Sequence, residues 1–383
     1  MSLNCPKKFS ENELSSMRRE LSVLLEGMRE DVDYETFPPV PPWFDAEKFN
    51  KGRRFFLDNS FSIMFSHFTF LLIGMTVQRF VRVLVLTGRS STPDSAFKRY
   101  MKTAMFLEKW YRGEDFWDET SAAHATLVAV RRYHRLANEL VSRKKPVEMN
   151  AKAPVEGDEY SAAAQETLDR ILRDIRHLPL VDEEFSNRLL KKDASVWREF
   201  PIVSQFDLSL TLLGFTGGIL LCPEYFGIPL QSDMDHEGLD GFVFFWRTVA
   251  YCLGVSDEYN ICRDSFRAAR VSAVAMTELY VRPLLKRCKI DSLYMADAIG
   301  LGHQKNLSRF FPSARVMLCF GGNCPGVNVD LVQVRKSFTW NEAFQYYYLV
   351  FVFKYVMRFK LTRWMLQKTF SLAGALYRSF SGR

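Results

Sequence analysis

From Asn59 to Gln78 the chain carries no Asp, Glu, Lys or Arg. Such a run must leave water, either for a bilayer or for a protein core, and about 20 residues is long enough to cross a membrane as a helix. Ser60, Ser62, Ser66, His67 and Thr69 interrupt it, however. Polar side chains at that density make a weak span, so the expectation is a buried core helix closed by Gly88, with TGRSSTPD as the following loop. The composition can supply such a core. Of 383 residues 48% are hydrophobic, and 33 are Phe. The chain is expected to fold as one or two domains.

The remaining patterns are helical. Ser10 and Glu13 have the spacing of a capping box, and Leu14, Met17, Leu21, Leu24 and Leu25 follow at helical intervals. After the connector FPPVPPWF and the apolar run, helices are expected over 96–111 and from Asp118 or Thr120 to about Arg143. The segment 144–160 is polar and contains Pro, which reads as an exposed, mobile loop. Further helices are expected over 161–176, 183–192, 205–221, 265–289 and 292–302, with another ending near Gly254. Gly214, Gly217 and Gly218 suggest that the 205–221 helix packs tightly. No alternating strands and no internal repeat occur, so the fold class is all-α.

The net charge is +7, and the seven basic residues between Ala343 and Arg383 face no acid in that stretch. Everything before Ala343 is close to neutral. A nucleic-acid surface is therefore not implied, whereas a local basic tail is. The seven cysteines are scattered without a CxxC pair and read as reduced thiols in a cytosol-facing compartment. Cys319 and Cys324 flank FGGN, a turn rather than a metal knuckle. The first residues, MSLNCPKKFSENEL, lack the apolar centre of a signal peptide, and the expectation is an intracellular protein.

Two helices carry candidate chemistry. In FKRYMKT, Arg99, Lys102 and Thr103 fall on one helical face that continues through Phe106 and Trp110. Phe97, Met101, Ala104 and Met105 lie on the other side. A helix apolar on both sides places its cations where they need partners. In ETSAAHATLVAVRRYHRLANELVSR, His134 shares a stripe with Leu127, Val130, Ala137 and Val141, and Arg131 sits one turn earlier. A neutral buried imidazole can ligate a metal, and it can equally be a core histidine bonded to a carbonyl. His67 reads as core and His124 as a contact of the connector. DMDHEGLD could attract a divalent cation, but it lacks calcium-loop spacing and suits a helix N-terminus better. HExxH, GxGxxG, P-loop and GxSxG motifs are missing.

The pieces GRRFF, SFSIMFSH, TGRSSTPDSAFKRYMKT and FWDETSAAHATLVAVRRYH resemble the catalytic domain shared by the rubber oxygenases (latex clearing proteins) and the endoplasmic-reticulum oxygenase that cleaves a farnesyl chain in mycophenolic acid biosynthesis. The resemblance runs from about Phe44 to about Asp264, and its most specific part is Arg99-x-x-Lys102-Thr103 followed by V-R-x-x-His134. It implies a globin-like helical core around haem b, with His134 as the proximal iron ligand. Lys102 would lie on the distal side, with Arg99, Thr103 and Arg131 lining the haem pocket. Arg99, Lys102 and Thr103 would be the catalytic residues. The implied reaction inserts O₂ across a C=C bond of an isoprenoid or related lipid chain and gives two carbonyl products. One departure stands out. The rubber enzymes use an acidic residue upstream of the Arg–Lys–Thr group, and no Asp or Glu occurs here between Asn59 and Pro93. A non-enzymatic haem or lipid binder on the same scaffold therefore stays open, as does a membrane-surface scaffold.

The implied organisation is an N-terminal amphipathic helix in 1–36, a haem-oxygenase-like helical domain in 37–340 and a basic, aromatic tail in 341–383. In the tail Lys354, Arg358, Lys360 and Arg363 alternate with Phe, Met, Leu and Trp. Its apolar run is short for a span. A helix lying in the interface of an anionic leaflet and a helix docked on the core both fit. The first would make the protein peripheral on the endoplasmic reticulum or another internal membrane.

Overall fold

In the computed structural model, which describes residues 9–113, 115–143, 151–230 and 233–369, helices make up all the regular structure and no strand occurs among those residues. The expected capping box forms. Ser10 N donates to Glu13 at 2.8 Å, the Ser10 hydroxyl accepts from Glu13 N, and α1 (Glu11–Glu26) follows. Its Met17, Leu21, Leu24 and Leu25 are buried.

Most of the charge-free run lies in α2 (Ala46–Gly74), which begins well before it; the single helix expected to run to Gly88 is broken at residues 75–77, and α3 (Gln78–Thr87) follows. Gly88 ends α3 in the left-handed region at φ 63°, as expected of a C-terminal glycine. The charge-free residues turn inward: Ser60, Ser62, Ser66, His67 and Thr69 are all buried. The His67 ring sits between Phe215 and Trp246, and its Nδ1 is 2.5 Å from the Phe215 carbonyl. Burial pushes it down to about 3, so it is a neutral core histidine.

The chain continues through α4 (Pro93–Arg112), α5 (Ala122–Arg143), α6 (Asp158–Ile175), α7 (Glu183–Glu199) and α8 (Gln205–Leu221). It then forms α9 (Asp233–Cys252), α10 (Phe266–Met276), a π-helical turn at Thr277–Val281 and α11 (Arg282–Leu285). Last come α12 (Ile290–Asn306), α13 (Ala314–Gly322), α14 (Val332–Lys336), α15 (Trp340–Lys354) and α16 over 360–369.

The central helix α2 packs against α8, α9 and α13. Glycines set the closeness. A Cβ at Gly52 would collide with the Gly241 backbone of α9, and one at Gly218 would strike Ser66 and Phe226. The expected tight packing of the 205–221 helix therefore holds at Gly217 and Gly218, while Gly214 has nothing within 4 Å of its place for a Cβ. A buried ion cluster joins α3, α7 and α8. Arg79 donates Nε and Nη2 to the two oxygens of Asp207 (2.6 and 2.8 Å) and Nη1 to Asp193 (2.7 Å). Its guanidinium also lies 4.7 Å from the centre of the Trp197 ring.

Two expectations are corrected. Cys222 and Cys324 form a disulfide, so these two cysteines are not the reduced thiols expected; Cys252, Cys262, Cys288 and Cys319 are free and buried. The partners lie 102 residues apart, which no local spacing reveals. Part of the expected loop at 144–160 is also ordered by the core. Ala151 is buried with its N–H on Asp291 (2.9 Å), and α6 already begins at Asp158. Residues 144–150 of that loop lie outside the described residues.

Candidate functional site

α4 and α5 are neighbours joined by the connector at 113–121. Near the connector, Trp110 Nε1 donates to Thr126 Oγ1 at 3.0 Å, which pins the two helices together. Thr92 and Ser95 form the capping box that starts α4. Trp110 is buried and Phe106 half-buried, so the stripe that continues from Arg99 does run inward at this end.

At the other end the face opens. Arg99 and Thr103 are half-buried, whereas Lys102 is exposed. Lys102 thus does not look into the core. Its Nζ lies 2.7 Å from the Tyr133 hydroxyl and over the rings of Tyr133 and Phe106, at 4.9 and 5.5 Å from their centres. Arg89 covers the same Tyr133 ring at 5.6 Å. Arg99 Nη1 donates to Ser90 Oγ at 3.2 Å, and the Thr103 hydroxyl donates to the Arg99 carbonyl at 3.2 Å. Among the described residues none of Arg89, Arg99 and Lys102 forms an ion pair with a carboxylate.

His134 faces this group from α5. Its ring is half-buried, and its Nδ1 is fully buried without a hydrogen-bond partner. Tyr34 stands edge-on to it, with ring centres 6.2 Å apart. Burial, and then the positive charges of Arg99 and Arg131, push His134 down to about 4. The imidazole is therefore neutral at neutral pH, and the simple core reading lacks the carbonyl partner it requires. His124 differs: its Nδ1 lies 2.9 Å from the Phe116 carbonyl, in the connector as expected.

Arg131 has another occupation. Its guanidinium donates to the carbonyls of Asp33, Thr36 and Cys252 at 2.5, 2.6 and 3.1 Å. It fastens α5 to the segment after α1 and to the end of α9, and so fixes where His134 stands. This role was not legible in the sequence, because the acceptors are backbone atoms of distant segments.

No three His, Cys, Asp or Glu side chains gather into a metal site among the described residues. Of the acidic stretch DMDHEGLD, Glu237 pairs with Lys51 (3.3 Å) and Asp240 accepts from Phe266 N at 2.7 Å; the side chains of Asp233 and Asp235 lie outside the described residues. A haem iron is a different case, since one histidine can hold it from the protein side. The residues present fit that group in kind. They provide a neutral imidazole with an unpartnered buried nitrogen, and cations without carboxylate partners for acidic side groups. An apolar cavity elsewhere, lined by Leu72, Ile175, Leu285, Leu293 and Leu318, holds only about 30 Å³, room for about one water and not for a lipid chain. No protein-family model, characterised protein or solved structure matches the chain.

Proposed function

We propose that the chain is a haem-dependent oxygenase of isoprenoid or related lipid chains, using O₂ to cleave a C=C bond into two carbonyl groups. The observation that carries this reading is His134, a neutral imidazole with its Nδ1 buried and unpartnered beside Arg99. A side chain kept in that state costs stability unless something uses it. His134 would hold the iron of haem b, and the haem would supply the O₂ activation. The globin-like arrangement implied by the resemblance belongs to the same proposal.

The chain's own residues would divide the remaining work. Arg99 would meet an acidic side group of the cofactor, a charge-assisted contact worth roughly 1.5–3 kcal/mol. Thr103 lies one turn from Arg99, with its hydroxyl proton committed to the backbone and its oxygen free to accept. Lys102 brings a mobile positive charge to the rim, held by Tyr133. Arg131 holds α5 in position.

The second reading is a haem or lipid binder without oxygenase activity. It is favoured by the lack of any Asp or Glu between Asn59 and Pro93. Purified wild-type protein loaded with haem should show a Soret band, and His134→Ala should lose it while keeping its helical circular dichroism. A folded wild type that takes up no haem would sink the proposal. Carbonyl products from short isoprenoids under O₂ support the oxygenase; their absence from fully loaded protein supports the binder.

A further inference from the structure

α15 is apolar on both its inward and its outward face, which is unusual for a helix in water. Its inward face buries Glu342 and Gln345 beside Tyr346, Leu349, Val352 and Phe353. Glu342 completes a capping box with Thr339 and accepts from Ser313, while Gln345 accepts from Ser313 N. The outward face carries Trp340 (94% exposed), Phe344, Tyr347, Phe351 and Tyr355. These lie at i, i+4, i+7, i+11 and i+15, so they form one continuous stripe. Single exposed apolar residues are ordinary, but an aromatic stripe of this length marks an interaction surface. Beyond the end of α15, Phe359, Leu361 and Trp364 are exposed as well.

Cations accompany the aromatics. Lys354, Arg358 and Lys360 are exposed. No acid follows Glu342 in the sequence, and Glu342 itself faces inward. We propose that the outer face of α15, with 355–368, docks on an anionic lipid bilayer and lies in the headgroup region. Trp and Tyr suit that depth, and Lys and Arg meet lipid phosphates. A second copy of the chain fits worse. A two-fold contact would press the same acid-free cationic stripe against itself. This inference rests on the surface alone and is independent of the haem reading.

The test uses the full chain with sucrose-loaded vesicles of phosphatidylcholine, with and without phosphatidylserine. Wild type should pellet with the anionic vesicles, less with the neutral ones, and less as salt rises. Phe344→Ser/Tyr347→Ser/Phe351→Ser should reduce pelleting by about tenfold or more while the melting temperature holds, because all three rings face solvent. Lys354→Glu/Arg358→Glu/Lys360→Glu should abolish the preference for anionic vesicles, each lost positive charge being worth about fivefold. Wild type that stays in the supernatant with both vesicle types, or an aromatic variant that pellets like wild type, would overturn the proposal. A wild-type dimer that the aromatic variant dissociates, without vesicle binding, would assign the face to a second copy.

Discussion

The ammonium of Lys102 lies 2.7 Å from the hydroxyl of Tyr133, the residue just before His134. Tyr133 also carries Arg89 on its ring, so one aromatic side chain holds two cations beside the candidate ligand. The contact is exposed, and its worth to stability is small. What it fixes is where Lys102 rests.

Tyr133→Phe keeps the ring and removes the oxygen. Its stability should stay within about 1 kcal/mol of wild type. The absorption spectrum of the haem-loaded variant should shift, because Lys102 is released from its resting place. A spectrum superimposable on wild type, with Lys102→Met also unchanged, would separate Lys102 from the site.

Arg79 is the ion whose loss should cost most. Removing its guanidinium leaves Asp207, a buried carboxylate, without its two-pronged partner, and takes the charged partner from Asp193, which keeps the Tyr280 hydroxyl at 3.2 Å. Arg79→Ala should lower the unfolding free energy by about 3–5 kcal/mol, measured by urea denaturation. Arg79→Lys should recover little, since an ammonium cannot span both oxygens of Asp207 and still reach Asp193. A loss below about 1 kcal/mol for Arg79→Ala would show that the cluster relaxes freely.

Much of this was legible because it is local. The Ser10–Glu13 capping box and the end of α3 at Gly88 follow from residues within a turn or two of each other. The stripe containing His134 was legible for the same reason. The bend in α2 at Asn59, the Cys222–Cys324 bridge and the Arg79 cluster were not. Arg79 and Asp207 are 128 residues apart and meet only when three helices pack. Periodicity does place Lys102 on the face of Arg99. It cannot say that a long side chain on that face bends outward to a tyrosine of the next helix.

Buried histidines, His303 among them, make stability sensitive to mild acid. Both His134 and His67 are held below their ordinary value, at about 4 and about 3. The unfolded chain therefore binds their protons near pH 6.5 while the folded chain refuses them. Their stabilisation is complete above about 6.5 and is lost as pH falls toward those folded values, each by about 1.4 kcal/mol per pH unit. Asp297, raised to about 6 mainly by burial, works the other way and offsets one histidine below that pH. His67→Phe should therefore make the loss of stability between pH 6 and 5 shallower by about one proton. Urea midpoints at pH 7, 6 and 5 measure this, and an unchanged slope in the variant would remove His67 from the account.

The Cys222–Cys324 bridge closes a long loop between the end of α8 and the segment after α13. Alkylation of the unreduced, denatured chain should leave these two residues unlabelled, and reduction should expose both to the reagent. Cys222→Ser/Cys324→Ser should cost about 2–5 kcal/mol, since a loop of this size is expensive to close without a bond. Equal labelling before and after reduction would show the two thiols to be free in the protein as purified.

The last helix among the described residues, α16, is held at a defect in the central one. At Asn59 (φ −130°, ψ 23°) α2 departs from helical geometry, and the Asn59 amide donates back to the Phe55 carbonyl at 3.0 Å. Gln367 of α16 reaches this bend. Its Oε1 accepts from Phe61 N at 2.5 Å and from the Ser60 hydroxyl at 3.1 Å. A buried glutamine thus gives polar groups at the bend an acceptor, and it seats α16 on α2. Gln367→Leu should leave those two donors without that acceptor and cost about 1–3 kcal/mol. The loss should fall first on the attachment of α16, because the rest of α2 remains packed on α8, α9 and α13. Trypsin should then cut at Lys360 and Arg363 several-fold faster in the variant than in wild type, before any cleavage in α2 or α9. Equal rates at those two sites would show that α16 is held by its apolar contacts and not by the glutamine.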